Sequence, residues 1–208
     1  MRVLLLIALA LLGLAALACG DNGEPSAAPT PTGELAETPA TSPEVTPGAT
    51  DVNIEAVLPA ADDLPEGWQF QGIEECGAST PRGTLCPTSG ITTGRVAFAI
   101  RGPGENLSVV VVVAEPDQAA TVTDVIVARA LTGERPWTRE TIDSPVPGTE
   151  RLQQELSDVS PPRMVERIVF NQGSVVVDVS LSLYQDQQDL TAQQIADLVH
   201  QRINEQLP

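Results

Sequence analysis

Sixteen residues after Arg2, Val3 to Ala18, are Val, Leu, Ile, Ala or Gly without interruption. As a helix this run would cover roughly 24 Å, short of the ~30 Å hydrocarbon core of a bilayer. Almost no large apolar side chain follows until about Asn53, and from there the pattern is that of a folded domain. Asp63-Leu64-Pro65-Glu66-Gly67-Trp68 reads as a turn feeding an extended piece, with Trp68 and Phe70 on one side. From Arg95 to Arg101 the residues alternate: Val96, Phe98 and Ile100 share one face, and Arg95, Ala97, Ala99 and Arg101 the other. After a Gly102-Pro103-Gly104 turn, Leu107 to Ala114 is apolar on both faces except at Ser108, which predicts a central strand covered on both sides. Glu115-Pro116-Asp117 ends that strand and could cap a helix reaching Leu131, with Val122, Val125 and Ile126 turned inward. Trp137 to Ile142 reads as another strand.

The second half follows the same order. Met164 to Phe170 predicts a strand, Asn171-Gln172-Gly173 a turn, and Ser174 to Tyr184 its partner. In that partner Val175, Val177, Val179, Leu181 and Leu183 form one unbroken apolar face. The opposite face carries Val176, Asp178, Ser180, Ser182 and Tyr184, and is the wetter one or lined for binding. Thr191 with Gln194 three residues on forms a capping box, opening a helix with Ile195, Leu198, Val199 and Ile203 inward. Hairpin-then-helix thus occurs twice, with Gly102 and Gly173 at corresponding places, which suggests a pseudo-duplication. The order predicts an α+β fold over 53–208: one mixed, largely antiparallel sheet of about five to seven strands with two main helices packed on it.

Charge narrows the partners. Eleven basic against 28 acidic residues give a net charge of −17, and every base is Arg. Nucleic acid and anionic lipid surfaces both demand cations, so neither is an expected electrostatic partner. One His and three Cys are too few for an ordinary zinc or iron–sulfur site, so no metal or cofactor is expected.

Arg2, the short apolar run and its small-residue end make a secretory signal over 1–18. The end, Ala15-Ala16-Leu17-Ala18-Cys19, resembles the lipobox of bacterial lipoproteins, although Ala16 stands where Leu is commonest. The resemblance implies a diacylglyceryl thioether on Cys19 and cleavage before it. An ordinary cleaved signal and an uncleaved anchor are the alternatives. Lipidation would tie the protein durably to the extracytoplasmic face of a membrane in the cell envelope. Residues 19–52 then carry the lipidated Cys and a Pro/Thr/acidic linker; from Gly20 to Val52 there are six Pro, six Thr, six acids and no base. That composition predicts disorder, spanning ~30 Å as a coil and ~100 Å if extended, whether as a stalk or as a neutral spacer.

The Asp-Leu-Pro-x-Gly-Trp opening, the Val169-Phe170-x-x-Gly173-x-Val175-Val176-Val177 hairpin and the closing helix are similar to small bacterial surface lipoproteins of unassigned function. Their order also resembles the α/β sandwich of PsbP-type photosystem II accessory proteins and the extracellular sensor domains of some bacterial kinases. The resemblance implies a non-catalytic binding or assembly role, and it supplies no site residues.

Few residues invite chemistry. With Cys19 taken by lipid, Cys76 and Cys86 remain, ten positions apart in a Gly/Pro/Thr-rich stretch, and outside the cytoplasm they predict a disulfide. The spacing is not that of a redox-active C-x-x-C pair. His200 falls at the margin of the last helix's apolar stripe, with no motif bringing it a nucleophile, so it predicts rim packing rather than catalysis. Arg202 lies within that stripe, which predicts snorkelling at the helix end over pairing with a carboxylate beneath. Asp62, Asp63, Asp186 and Asp189 lack calcium-loop spacing and read as solvated. Arg95, Arg101 and Arg167 could gather into an anion pocket, but pairing singly with the chain's many acids is simpler. Trp68 reads as a core plug. No catalytic residue emerges. The function expected is therefore a membrane-anchored, non-enzymatic domain binding an envelope protein or small ligand near the 72–94 loop or the Ser180–Tyr184 face. A cell-surface hydrolase and a purely structural assembly factor are the alternatives.

Overall fold

The computed structural model describes residues 52–207 except 78–85, 134, 136 and 188. The signal segment, Cys19 and nearly all of the linker lie outside the described residues. The helices are α1 (Ile54–Val57), α2 (Ala119–Leu131) and α3 (Ala192–Gln206). The strands are β1 (Gln69–Glu75), β2 (Ile91–Gly102), β3 (Glu105–Ala114), β4 (Thr138–Glu140), β5 (Glu150–Leu156), β6 (Arg163–Gln172) and β7 (Val175–Tyr184). The seven strands form one sheet in the order β1-β2-β3-β7-β6-β5-β4, and every neighbouring pair is antiparallel. The fold is thus α+β, and the expected mixture of directions reduces to a purely antiparallel sheet. The single connection between strands that are not neighbours, β3 to β4 through α2, carries the chain to the far edge of the sheet, and the remaining strands return by antiparallel neighbours to the middle, so no parallel pair arises.

The period-2 patterns explain the two cores. Leu107, Val109, Val111 and Val113 of β3 stand opposite Leu181, Val179, Val177 and Val175 of β7, and this face is buried by α1 and α3. The alternate residues Val110 and Val112, with Val96, Phe98, Val169 and Val176, are buried under α2. A strand apolar on both faces has to lie between two covering layers, and β3 does. Repetition of hairpin and helix holds as an order of elements only. The β2–β3 and β6–β7 hairpins meet along β3 and β7, but α2 and α3 cover opposite faces. A rotation exchanging the hairpins would keep both helices on one face, so the halves are not superposable copies.

Local details depart from the sequence pattern in informative ways. The buried stripe of α2 is Ala119, Val122, Thr123, Ile126, Val127 and Ala130. Val125 lies off that stripe and is 40% exposed. Asp117 takes a positive φ of 61° where β3 ends, and Gln118, not an acid, holds the N-cap position. The β6–β7 turn is tighter than expected: Gln172 pairs with Val175, leaving only Gly173, at φ 57°, and Ser174 between the strands. Strand β4 is three residues long. Strand β5 had no sequence signal of its own, because of its seven residues only Leu152 is buried.

Arg202 corrects the snorkelling expectation. Its Nη1 donates to the Leu58 carbonyl (2.7 Å) and its Nη2 to Asp63 Oδ1 (2.8 Å), so the guanidinium fastens α3 to the segment after α1. Trp68 is half-buried against the α3-side core, with the Arg101 guanidinium 5.4 Å above its ring. It plugs the edge of the core as expected.

Candidate functional site

Helix α3 starts beyond the last turn of the sheet, and its first residues leave part of the sheet face beside β5 uncovered. The hollow there has a volume of about 300 Å³ and is lined by Met164 and Glu166 of β6, Leu181, Leu183 and Tyr184 of β7, Arg151 and Gln153 of β5, and Leu190 and Thr191. Register explains the grouping. Met164 pairs with Leu183, Glu166 with Leu181 and with Gln153, so their side chains share the α3 face of the sheet. The floor is apolar and the wall toward β5 is polar, a division typical of small-ligand sites.

Glu166 is the unusual member, a carboxylate only 8% exposed, set between Met164 and Ile168 on that face of β6. Its Oε2 accepts from the Ala192 amide (2.9 Å), the first free N–H of α3. Burying a charge is costly without partners, and a helix N-terminus offers one. The second partner is Arg151, whose Nη2 lies 2.7 Å from Glu166 Oε1. That contact is an ion pair without hydrogen-bond geometry, since Oε1 makes no hydrogen bond. Arg151 Nη1 lies 3.6 Å from Glu140. The Gln153 amide, turned to satisfy both its ends, donates to Glu140 Oε1 (3.2 Å) and accepts from Arg151 Nη2 (2.8 Å). Gln185 Nε2 donates to Glu155 (2.9 Å), which stands directly across from Met164. The Thr191 capping box completes the helix end: Gln194 N donates to Thr191 Oγ1 (3.2 Å) and Thr191 N to Gln194 Oε1 (2.9 Å).

The Ser180–Tyr184 face, expected to bind, is largely occupied by the protein itself. Ser182 Oγ donates to the Gly104 carbonyl (3.0 Å), Tyr184 Oη donates to the Pro103 carbonyl (2.6 Å), and the Arg163 guanidinium stacks over the Tyr184 ring. These groups hold the β2–β3 turn in place. The pocket instead lies on the other face of β7, over Leu181 and Leu183, which the alternation had marked as plain core. The sequence signal that could have found it was Glu166, an acid set among apolar residues of a predicted strand; Arg151 sat in a segment with no predicted element.

Of the other candidates, Cys76 and Cys86 are joined in a disulfide with Cα atoms 5.6 Å apart, and Cys86 packs with the α2-side core. Another hollow of about 380 Å³ separates Pro87–Gly90 from Gln118 and from Thr121, Val125 and Arg129 of α2. Cys19 lies outside the described residues. The three arginines do not converge: Arg95 pairs with Glu55 and Glu75, Arg101 with Glu105 and Asp189, and Arg167 with Asp178. Hydrogen bonds that it donates to Glu105 above all, then to Asp189, hold the Arg101 guanidinium above its ordinary pKa against partial burial. His200 is half-buried at the rim of α3, edge-on to Phe170 at 6.1 Å and 3.1 Å from the Asn204 amide. Asp63 and Asp189 are engaged by Arg202 and Arg101, and among the described residues no three His, Cys, Asp or Glu side chains gather as a metal site. Among the described residues no helix is long and apolar enough to cross a membrane.

The chain matches no protein-family model and no curated protein. Among solved structures it is similar to the extracellular domain of PknH from Mycobacterium tuberculosis, at 18% identity and a TM-score of 0.54, over 73% of this chain and 95% of that one. At that identity the likeness is one of fold, and the shared architecture is that of a domain which in PknH stands outside the cell membrane.

Proposed function

We propose that this chain is an extracytoplasmic lipoprotein, tethered through lipid on Cys19, whose α+β domain binds a small ligand without transforming it. The observation that carries the binding reading is the pocket at the start of α3, with its apolar floor and its ordered polar wall. Its ionisable pair is committed to structure, Glu166 to the Ala192 amide and Arg151 to Glu166. Groups so engaged hold and orient a guest rather than shuttle protons to it. The lipobox-like Ala15–Cys19 segment, the disulfide and the similarity to the extracellular domain of PknH support a place outside the cytoplasm.

Two measurements test this. Cys19→Ala should move the protein from the membrane fraction to the soluble extracytoplasmic fraction; an unchanged distribution refutes the anchor. A thermal-shift panel of metals, sugars, lipids, nucleotides, peptides and small amines on the full chain tests binding. A ligand at a hundred times its Kd adds ~2.7 kcal/mol, roughly 5–10 °C at this size. Gln153→Trp, which places an indole at the pocket wall, should abolish any such shift while leaving the unliganded Tm within about 2 °C. A hit insensitive to that substitution puts the site elsewhere.

A further inference from the structure

Resting on the reading of the α3 pocket as a ligand site, we propose that its guest is a short aliphatic primary amine, held as the ammonium ion beside Glu166. Three observations point to this chemistry. The floor of Met164, Leu181, Leu183 and Leu190 accepts a few methylenes, and about 300 Å³ sits at the small end of ligand pockets. The charged side chains that register places on this face of β4, β5 and β6 are Glu140, Glu155 and Glu166, against the single base Arg151. Arg151 is already spoken for by Glu166 and Glu140. The helix end, which would otherwise draw an anion, has given its first amide to Glu166 and its third to Thr191. The pocket is therefore left with net negative charge and no uncommitted cation.

The third observation is Glu166 Oε1, buried beside the pocket, which faces Arg151 Nη2 at 2.7 Å as an ion pair but accepts no hydrogen bond. Buried acceptors are seldom left so. An ammonium brings three N–H donors and no acceptor, which suits a wall of carboxylate and amide oxygens. A carboxylate guest would have to displace Glu166 from both Arg151 and Ala192. A neutral alcohol would gain one hydrogen bond and none of the charge attraction.

The protein supplies its own reporter, for Met1 and Met164 are the only methionines in the chain. The full chain, labelled with ¹³C-methyl methionine in detergent, is titrated with 5-aminopentan-1-ol, pentane-1,5-diol and 5-hydroxypentanoate, which differ at one end group. The Met164 signal is assigned by its loss in Met164→Leu. We expect the amine to half-saturate the Met164 shift at a concentration about tenfold below the diol, with the carboxylate weakest, as charge-assisted bonds are roughly twice as strong as neutral ones. Equal or tighter binding of the diol or the carboxylate overturns the amine assignment and leaves the pocket reading standing. No saturable shift with any probe overturns both. In the Glu140→Gln/Glu155→Gln double variant, whose changes fall at half-exposed and exposed positions, the gap between amine and diol should narrow to roughly threefold. An unchanged gap also overturns the assignment.

Discussion

Arg167 and Asp178 meet between β6 and β7 on the α2 side of the sheet, both almost fully buried, with Nε donating to Oδ1 (2.7 Å) and a second bond from Nη2 to Oδ2. A buried pair of this kind stabilises little by its presence but a great deal hangs on its being whole. Asp178→Ala strands a guanidinium in the core and should cost about 3–5 kcal/mol, read from the midpoint of urea unfolding. Arg167→Met with Asp178→Leu should recover most of that loss. Recovery of less than half would mean the pair contributes more than its own neutralisation. The sequence displayed both residues but not their meeting. Nor could it display that of Arg202 and Asp63, 139 positions apart, and the apolar stripe favoured snorkelling over pairing with a carboxylate beneath. Patterns of hydrophobicity say which way a side chain faces, and a charge facing inward is silent about which acid awaits it.

Elements with strong periodicity were legible, and those held by their neighbours were not. Both hairpins, α3 and its cap follow from residue order. Thr191→Ala should cost about 1 kcal/mol, and thermal unfolding should show it. A neutral result would mean that Glu166 alone secures the helix end. Strand β5 was invisible since its polar run becomes a strand only by pairing with β6, and with it went Arg151 and half of the pocket wall. Gly94 is explained only by packing. A Cβ there would lie 2.7 Å from Val112 Cγ1 and 2.9 Å from Cys76 Cβ, so the glycine lets the disulfide settle against β3. Gly94→Ala should destabilise by about 1–3 kcal/mol through overpacking. The same variant combined with Cys76→Ser, which keeps the Cβ but frees it from the disulfide, should show a smaller increment if the fixed position of that Cβ is what the alanine strains.

For the molecule as a whole, the sheet carries two separate cores, and the covalent staple belongs to the α2 side. Replacing both Cys76 and Cys86 by Ser should lower stability by roughly 2–3 kcal/mol, as expected for a short closed loop, while leaving the α3-side pocket able to bind. Loss of binding together with the staple would place the ligand on the other face. The α3 side has a different fastening. Asn53 N donates to Gln206 Oε1 (2.8 Å), Gln206 Nε2 donates back to the Asn53 carbonyl (3.4 Å), and Arg202 grips Leu58 and Asp63. The first described turn of the chain is thus bolted to the last turns of α3, whose opposite end carries Thr191 and the pocket. If the chain is anchored through Cys19 as proposed, a pull arriving at residue 53 would meet Gln206 and Arg202 before it reached any strand, and α3 would be the lever that carries it to the place where a guest would sit.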